Sequence, residues 1–194
     1  MTAKPGDPRI ELIVEGKADL DAVPVLLRKH LHGRNEFRDV LGKPIPTHGV
    51  TNATKVNGIE GFVATASCRP GCKGILVVLD SDDECVVDRA QALAKRIEGT
   101  VPQPVIFALA VRNYEDWLYT SIEALSIGDI LYRDGASGLS EIKHALRAIG
   151  ESYSKPLWQP RLTQRIDIEL AKTRSASFSR LLDRFDSLVA LLPE

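Results

Sequence analysis

The sequence predicts an α/β protein: a mainly parallel, four-stranded sheet flanked by helices, with a helical extension at its C-terminal end. Three observations predict it. Apolar runs of strand length recur at Ile10-Glu11-Leu12-Ile13-Val14, Ile75-Leu76-Val77-Val78-Leu79 and Val105-Ile106-Phe107-Ala108-Leu109-Ala110-Val111, as buried parallel strands require. Segments with apolar residues at helical spacing separate them. From about residue 134 onward the strand signals stop and only helical patterns remain.

The elements follow in order. After the strand at 10–14, Asp19 is placed to cap a helix carrying Leu20, Val23, Leu26, Leu27 and Leu31 on one face. Lys43-Pro44-Ile45-Pro46-Thr47-His48 is weakly strand-like, and its prolines point to a sheet edge. A short helix is expected at 58–66, closed by Arg69-Pro70-Gly71. The strand at 75–79 leads into a helix over 83–97 that Asp82 or Asp83 can cap and Gly99 ends. After the strand at 105–111, a helix begins near Tyr114 with Trp117, Leu118 and Ile122 inward. Helices are then expected at 139–149, 161–172 and 177–192. The predicted organisation is an α/β core over 8–133 with a helical extension over 134–194 packed on it.

Composition narrows the function classes. Hydrophobic content of 44% and charged content of 26% suit a soluble globular chain. A net charge of −1 gives no overall basic field, so nucleic acid would have to be met by a local stripe. No run approaches the roughly 18 apolar residues of a membrane span, and the polar N-terminus has no secretory signal, so a cytoplasmic protein is expected. Cys68, Cys72 and Cys85 then read as reduced thiols. Cys68 and Cys72 near His48 make a weak zinc pattern with no fourth ligand.

The chemistry concentrates where strands end. Glu15-Gly16 follows the first strand, and Asp80-Ser81-Asp82-Asp83-Glu84 follows the third. In parallel sheets that edge is where sites form. Carboxylates gathered there repel one another, and a divalent cation relieves the repulsion. One helix cap explains one acid, not the whole second cluster. Glu115, in Arg112-Asn113-Tyr114-Glu115-Asp116-Trp117, lies at the same edge after the last strand. The loop lacks the glycine and the bidentate glutamate of an EF-hand.

These motifs carry a resemblance. A strand followed by Glu-Gly, then a strand followed by Asp-x-Asp, resembles the Toprim domain, a Rossmann-like fold. Topoisomerases, primases and the OLD-family (overcoming lysogenization defect) nucleases contain it. Val14-Glu15-Gly16, Leu79-Asp80-Ser81-Asp82-Asp83, Glu115-Asp116-Trp117-Leu118, Tyr153-Ser154-Lys155 and Arg174-Ser175-Ala176-Ser177-Phe178 occur in that order. The set is similar to a bacterial Toprim-like family of unknown function related to the OLD nucleases, over nearly the whole chain.

The resemblance implies a Mg²⁺ or Mn²⁺ site built from Glu15, Asp80 and Asp82. It implies a second metal held by Asp19 and Glu115, with Lys155 assisting. Asp19 departs from the pattern, where a glutamate is commoner. The implied activity is two-metal hydrolysis of phosphodiester bonds in nucleic acid, with DNA the expected substrate, in phage defence or DNA repair. OLD nucleases carry a fused ATPase, so a separate ATPase partner is expected here. Phosphate contacts are expected from basic residues of the C-terminal third, Arg161, Arg165 and Arg174 among them. Tyr153 and Trp158 are candidates to stack on a base, with core packing the commoner role for a residue such as Trp158.

Two other readings stand beside this one. Strand-Asp-x-Asp also resembles phosphatases with an aspartate nucleophile, but those place it on the first strand. A non-catalytic Toprim-like module that binds metal, nucleic acid or an ATPase accounts for the same motifs without catalysis.

Overall fold

The computed structural model describes residues 6–82 and 84–193. Its sheet has four parallel strands in the order β2-β1-β3-β4: β1 (Arg9–Val14), β2 (Ile45–Pro46), β3 (Cys72–Asp80) and β4 (Val105–Ala110). The proline-rich segment is the edge strand β2, reduced to two residues, since a proline cannot complete a ladder.

The helices are α1 (Asp19–Gly33), α2 (Val50–Thr54), α3 (Gly58–Ser67), α4 (Val86–Ile97), α5 (Tyr114–Tyr119), α6 (Gly138–Ala148), α7 (Lys155–Arg165), α8 (Ile168–Arg174) and α9 (Ala176–Val189). Strand side chains alternate between two cores, as the pleat demands. Ile10, Leu12, Val14, Leu76, Val78 and Ala108 face α1, α5, α7 and α9, whereas Ile13, Ile75, Val77, Leu79 and Phe107 face α3 and α4. Each such side chain contributes about 1.5–3 kcal/mol on burial. The sheet is therefore covered on both faces, and its carboxyl edge and the outer edge of the terminal strand β4 are left open.

The C-terminal helices complete one of those faces. Phe178, Leu181 and Phe185 of α9 join the same core as Leu76 and Ala108. Gly74 makes this approach possible: a Cβ there would meet Leu188 Cδ2 at 2.8 Å. Helix α7 packs along α1 and brings its first residues to the ends of the strands.

Several sequence expectations need correction. The cap of α1 is Ala18, and Asp19 is the first helical residue. Helix α4 starts at Val86 behind Cys85 rather than at 83, so Asp82 does not cap it; Asp83 lies outside the described residues. The single helix expected at 161–172 is two. Asp167 breaks it by accepting a hydrogen bond from Leu170 N–H at 3.0 Å, which caps α8. The first of the two starts earlier than the expected 161: Lys155 opens α7, with Pro156 where a first-turn proline is favoured.

Candidate functional site

The parallel register carries three acids to one end of the sheet. Val14 pairs with Val78, and Asp80 with Ala110, so β1, β3 and β4 finish side by side. Glu15 follows β1, Asp80 ends β3, and Glu115 lies in the first turn of α5 just beyond β4. The turn after β3 is stitched to the one after β4. Ser81 N–H donates to Ala110 O at 3.1 Å, Asp82 N–H donates to Arg112 O at 3.2 Å, and the Ser81 hydroxyl donates to Val111 O. Arg89 of α4 donates to Ser81 O at 2.8 Å. Arg112 pairs with Asp116 at 2.6 Å, and Asp116 accepts from Gly138 N–H at 2.7 Å, which locks α5 against α6. A Cβ on Gly138 would meet Glu115 O at 2.5 Å, so only glycine allows that approach.

Each acid has distinct surroundings. Asp80, 8% exposed, lies 3.4 Å from Lys155 Nζ. Burial raises its pKa to about 8. Lys155 opposes that rise, and the negative charges of Glu15, Asp19 and Glu115 add to it. Burial also raises the pKa of Glu15; the Asp80 N–H, which Glu15 accepts at 2.9 Å, and Lys155 work against it, while Asp19 and Asp82 reinforce it.

Glu115 is 1% exposed. Its Oε1 accepts from the Tyr153 hydroxyl, and its Oε2 is buried with no hydrogen-bond partner. Asp19 accepts from Gly16 N–H at 2.8 Å and from Gln159 Nε2 at 2.5 Å. Asp82 is exposed, in a left-handed conformation with φ of 49°, and reaches the cluster through its charge on Glu15.

Lys155 is the ammonium among these carboxylates. Burial disfavours its charge, but attraction to Asp80, Glu115, Asp19 and Glu15 outweighs that and raises its pKa. Beneath the cluster, Tyr114 is fully buried and its hydroxyl meets Thr163 Oγ1 at 3.1 Å. Burial and the nearby carboxylates keep that phenol protonated.

The arginines are not gathered in the same way. Arg161 is exposed, over the Trp158 ring at 5.8 Å and about 9 Å along α7 from Lys155. Arg165 donates to Leu125 O at 3.0 Å. Arg174 donates to Thr120 O and Glu123 Oε2 and lies over the Tyr132 ring at 4.7 Å. Arg165 and Arg174 thus tie helices together. Trp158 is 8% exposed with its indole N–H on Ser152 O, so it packs rather than presenting a stacking face.

Sequence reasoning missed Gln159 and the hydrogen bond from the Tyr153 hydroxyl to Glu115. Gln159 is four residues after Lys155, hence on the same face once α7 is known to begin at Lys155. The signal for that start was Pro156.

The donor set consists of hard oxygen ligands, the kind Mg²⁺ and Mn²⁺ take. Within the cluster Glu115 Oε2 is a buried carboxylate oxygen left without a hydrogen-bond partner, as is the amide Oε1 of Gln159 beside it. Among the described residues no three His, Cys, Asp or Glu side chains are already arranged to hold a metal ion. Lys155, Tyr153, Gln159 and backbone N–H groups engage the carboxylates instead.

A family model described as a domain of unknown function, DUF4276, matches residues 14–186. The chain belongs to this family. The match takes in every acid of the cluster, Lys155 and α9 up to Asp186. Among solved structures, this DUF4276 chain is similar to the C-terminal region of the OLD protein of Xanthomonas campestris pv. campestris. The identity is 16%, the alignment covers 94% of this chain and 97% of that one, and the TM-score is 0.45. No curated protein matches. Among the described residues no helix is long and apolar enough to cross a membrane.

Proposed function

We propose that this DUF4276 protein is a divalent-metal-dependent phosphodiesterase acting on nucleic acid, with a Toprim-like site of the OLD kind. The observation that carries the reading is Asp80. It is a buried carboxylate at the carboxyl end of a central strand, set among Glu15, Asp19 and Glu115 and answered by one lysine at 3.4 Å. Perturbed acids of this kind, set in a cleft among other charges, concentrate at functional sites.

In this reading Glu15, Asp80 and Asp82 hold Mg²⁺ or Mn²⁺, with Asp19 and Glu115 at the second position. A bound cation supplies Lewis acidity and lowers the pKa of a water. Asp80 N–H fixes the Glu15 carboxylate at 2.9 Å, Gly16 N–H and Gln159 fix Asp19, and the Tyr153 hydroxyl orients Glu115. Asp80 must share or release Lys155 to act as a ligand, and the freed ammonium can then neutralise a phosphoryl oxygen. Arg161, on the open side of α7, is the candidate for a phosphate contact. DNA as substrate, an ATPase from a separate chain and a setting in phage defence or DNA repair belong to the same proposal. The motif resemblance supports them.

The test is supercoiled plasmid with Mn²⁺ or Mg²⁺, with Glu15→Gln and Asp80→Asn proteins in parallel and thermal melts of each with and without the metal. Metal-dependent nicking and a metal-induced rise in Tm, both lost in the two variants, support the reading. A metal-induced rise without nicking points to the non-catalytic or ATPase-dependent module. Nicking that survives in both folded variants overturns the assignment.

A further inference from the structure

The outer edge of β4 carries unclaimed chemistry of its own. β4 is the terminal strand. Ile75 N–H donates to Pro104 O at 2.9 Å and Ser81 N–H to Ala110 O at 3.1 Å. The even-numbered residues of β4 therefore bond to β3, and the odd-numbered Val105, Phe107 and Leu109 turn their N–H and C=O groups outward. Among the described residues no backbone-to-backbone hydrogen bond from outside the sheet reaches those three.

Helices α4 and α9 cover opposite faces of the sheet but stop short of that edge, leaving a groove of about 310 Å³. Its walls are apolar: Val86, Val87 and Ala90 on one side and Leu181 on the other, with Val87 48% exposed. Among the described residues its charged members are Arg180 and Arg184. Both are exposed, and neither is in an ion pair among the described residues. Arg184 donates to Phe107 O at 2.7 Å, so a guanidinium already reaches the open edge.

We infer that this edge takes up an extended, acidic segment of a partner protein, which adds to the sheet as a further strand beside β4. Outward N–H and C=O groups are answered in kind only by another backbone in strand conformation. The apolar walls receive alternate side chains of that strand, and its carboxylates meet Arg180 and Arg184. A second copy of this chain fits badly. Two-fold pairing of β4 with itself centres near Phe107 and brings two Arg184 guanidiniums together, which like charges directly opposite one another disfavour. A nucleic acid strand supplies phosphate acceptors for the arginines, but its backbone has no N–H donor for the carbonyls of Val105 and Leu109.

The probe is a blocked peptide of about seven residues alternating aspartate and valine, titrated into the ¹⁵N-labelled full chain and followed by amide chemical shifts. The expected result is saturable shifts at Val105, Phe107 and Leu109. Arg180→Glu, at an exposed position with no ion pair among the described residues, should weaken binding about fivefold or more, and an N-methylated version of the peptide should not bind. The inference is overturned if the β4 amides do not shift at about 1 mM peptide. It is equally overturned if the N-methylated peptide binds as well, if a single-stranded oligonucleotide shifts those amides when the peptide does not, or if the chain sediments as a dimer that Val105→Pro dissociates.

Discussion

Two carboxylates are buried on neighbouring strands of this sheet, and they are treated in opposite ways. Glu11 in β1 is 1% exposed and meets the guanidinium of Arg69 at 2.7 Å, and the same Arg69 nitrogen also donates to Lys43 O. Asp80 in β3 is 8% exposed and meets a more distant ammonium at 3.4 Å, with three further acids pressing on it. One buried acid is answered by a close guanidinium and clasps the 42–43 connection to β1. The other is left with excess negative charge. Burial of a carboxylate is therefore no mark of a site by itself; an incomplete answer to its charge is.

The largest effect should come from breaking the clasp. Arg69→Met leaves Glu11 buried and uncompensated, and should cost about 3–5 kcal/mol in urea unfolding. The response to Mn²⁺ should persist wherever the protein still folds. A smaller cost would mean that the two acids are less different than their geometry indicates.

The converse change should be stabilising. The folded-state pKa of Asp80 lies near 8, above the ordinary aspartate range, so folding favours its protonated form. Its contribution is then fully present below about pH 4 and is lost as pH rises through about 8. Metal-free protein should lose stability between about pH 5 and pH 9, and Asp80→Asn should remove about 4 kcal/mol of that decline. Urea titrations with chelator at both pH values measure it. An unchanged slope in the variant would assign the pH dependence elsewhere.

Weaker effects separate the supporting residues. Tyr153→Phe removes the hydrogen bond to Glu115 and should cost roughly 1 kcal/mol or less in stability, while lowering plasmid nicking about tenfold through misorientation of that carboxylate. Smallest of all, Arg161→Ala should leave stability nearly unchanged and reduce the slope of log affinity for DNA against log salt by about 1. Arg174→Ala should instead destabilise the fold by about 1 kcal/mol, because its guanidinium ties Thr120 and Glu123.

The readable part of the molecule is local. An apolar run that stops at Glu15 or at Asp80 announces both a strand and the place where it delivers an acid, and the strands did deliver both acids to one edge. Glu115 was readable for the same reason. What depended on distant packing was not. Whether Asp82 shares the inward path of Asp80 turns on a left-handed backbone at that residue, and two aspartates two apart look alike in sequence. Arg165 and Arg174 read as phosphate-contacting residues, yet their carbonyl and carboxylate partners lie 40 to 54 residues away. The closing of the site by α7 was hidden because the helical pattern is clear only from 161 onward, although Pro156 is a good start signal for a helix.

The most direct test of the central claim is calorimetric titration of Mn²⁺ at about pH 7 in buffers of different ionisation enthalpy, on wild type and Asp80→Asn. The expected result is saturable binding to the wild type with proton release, because Asp80 must lose its proton to become a ligand, and loss of both in the variant. Binding of equal strength in the variant, or none in the wild type, would contradict the assignment of this carboxylate cluster as a divalent-cation site.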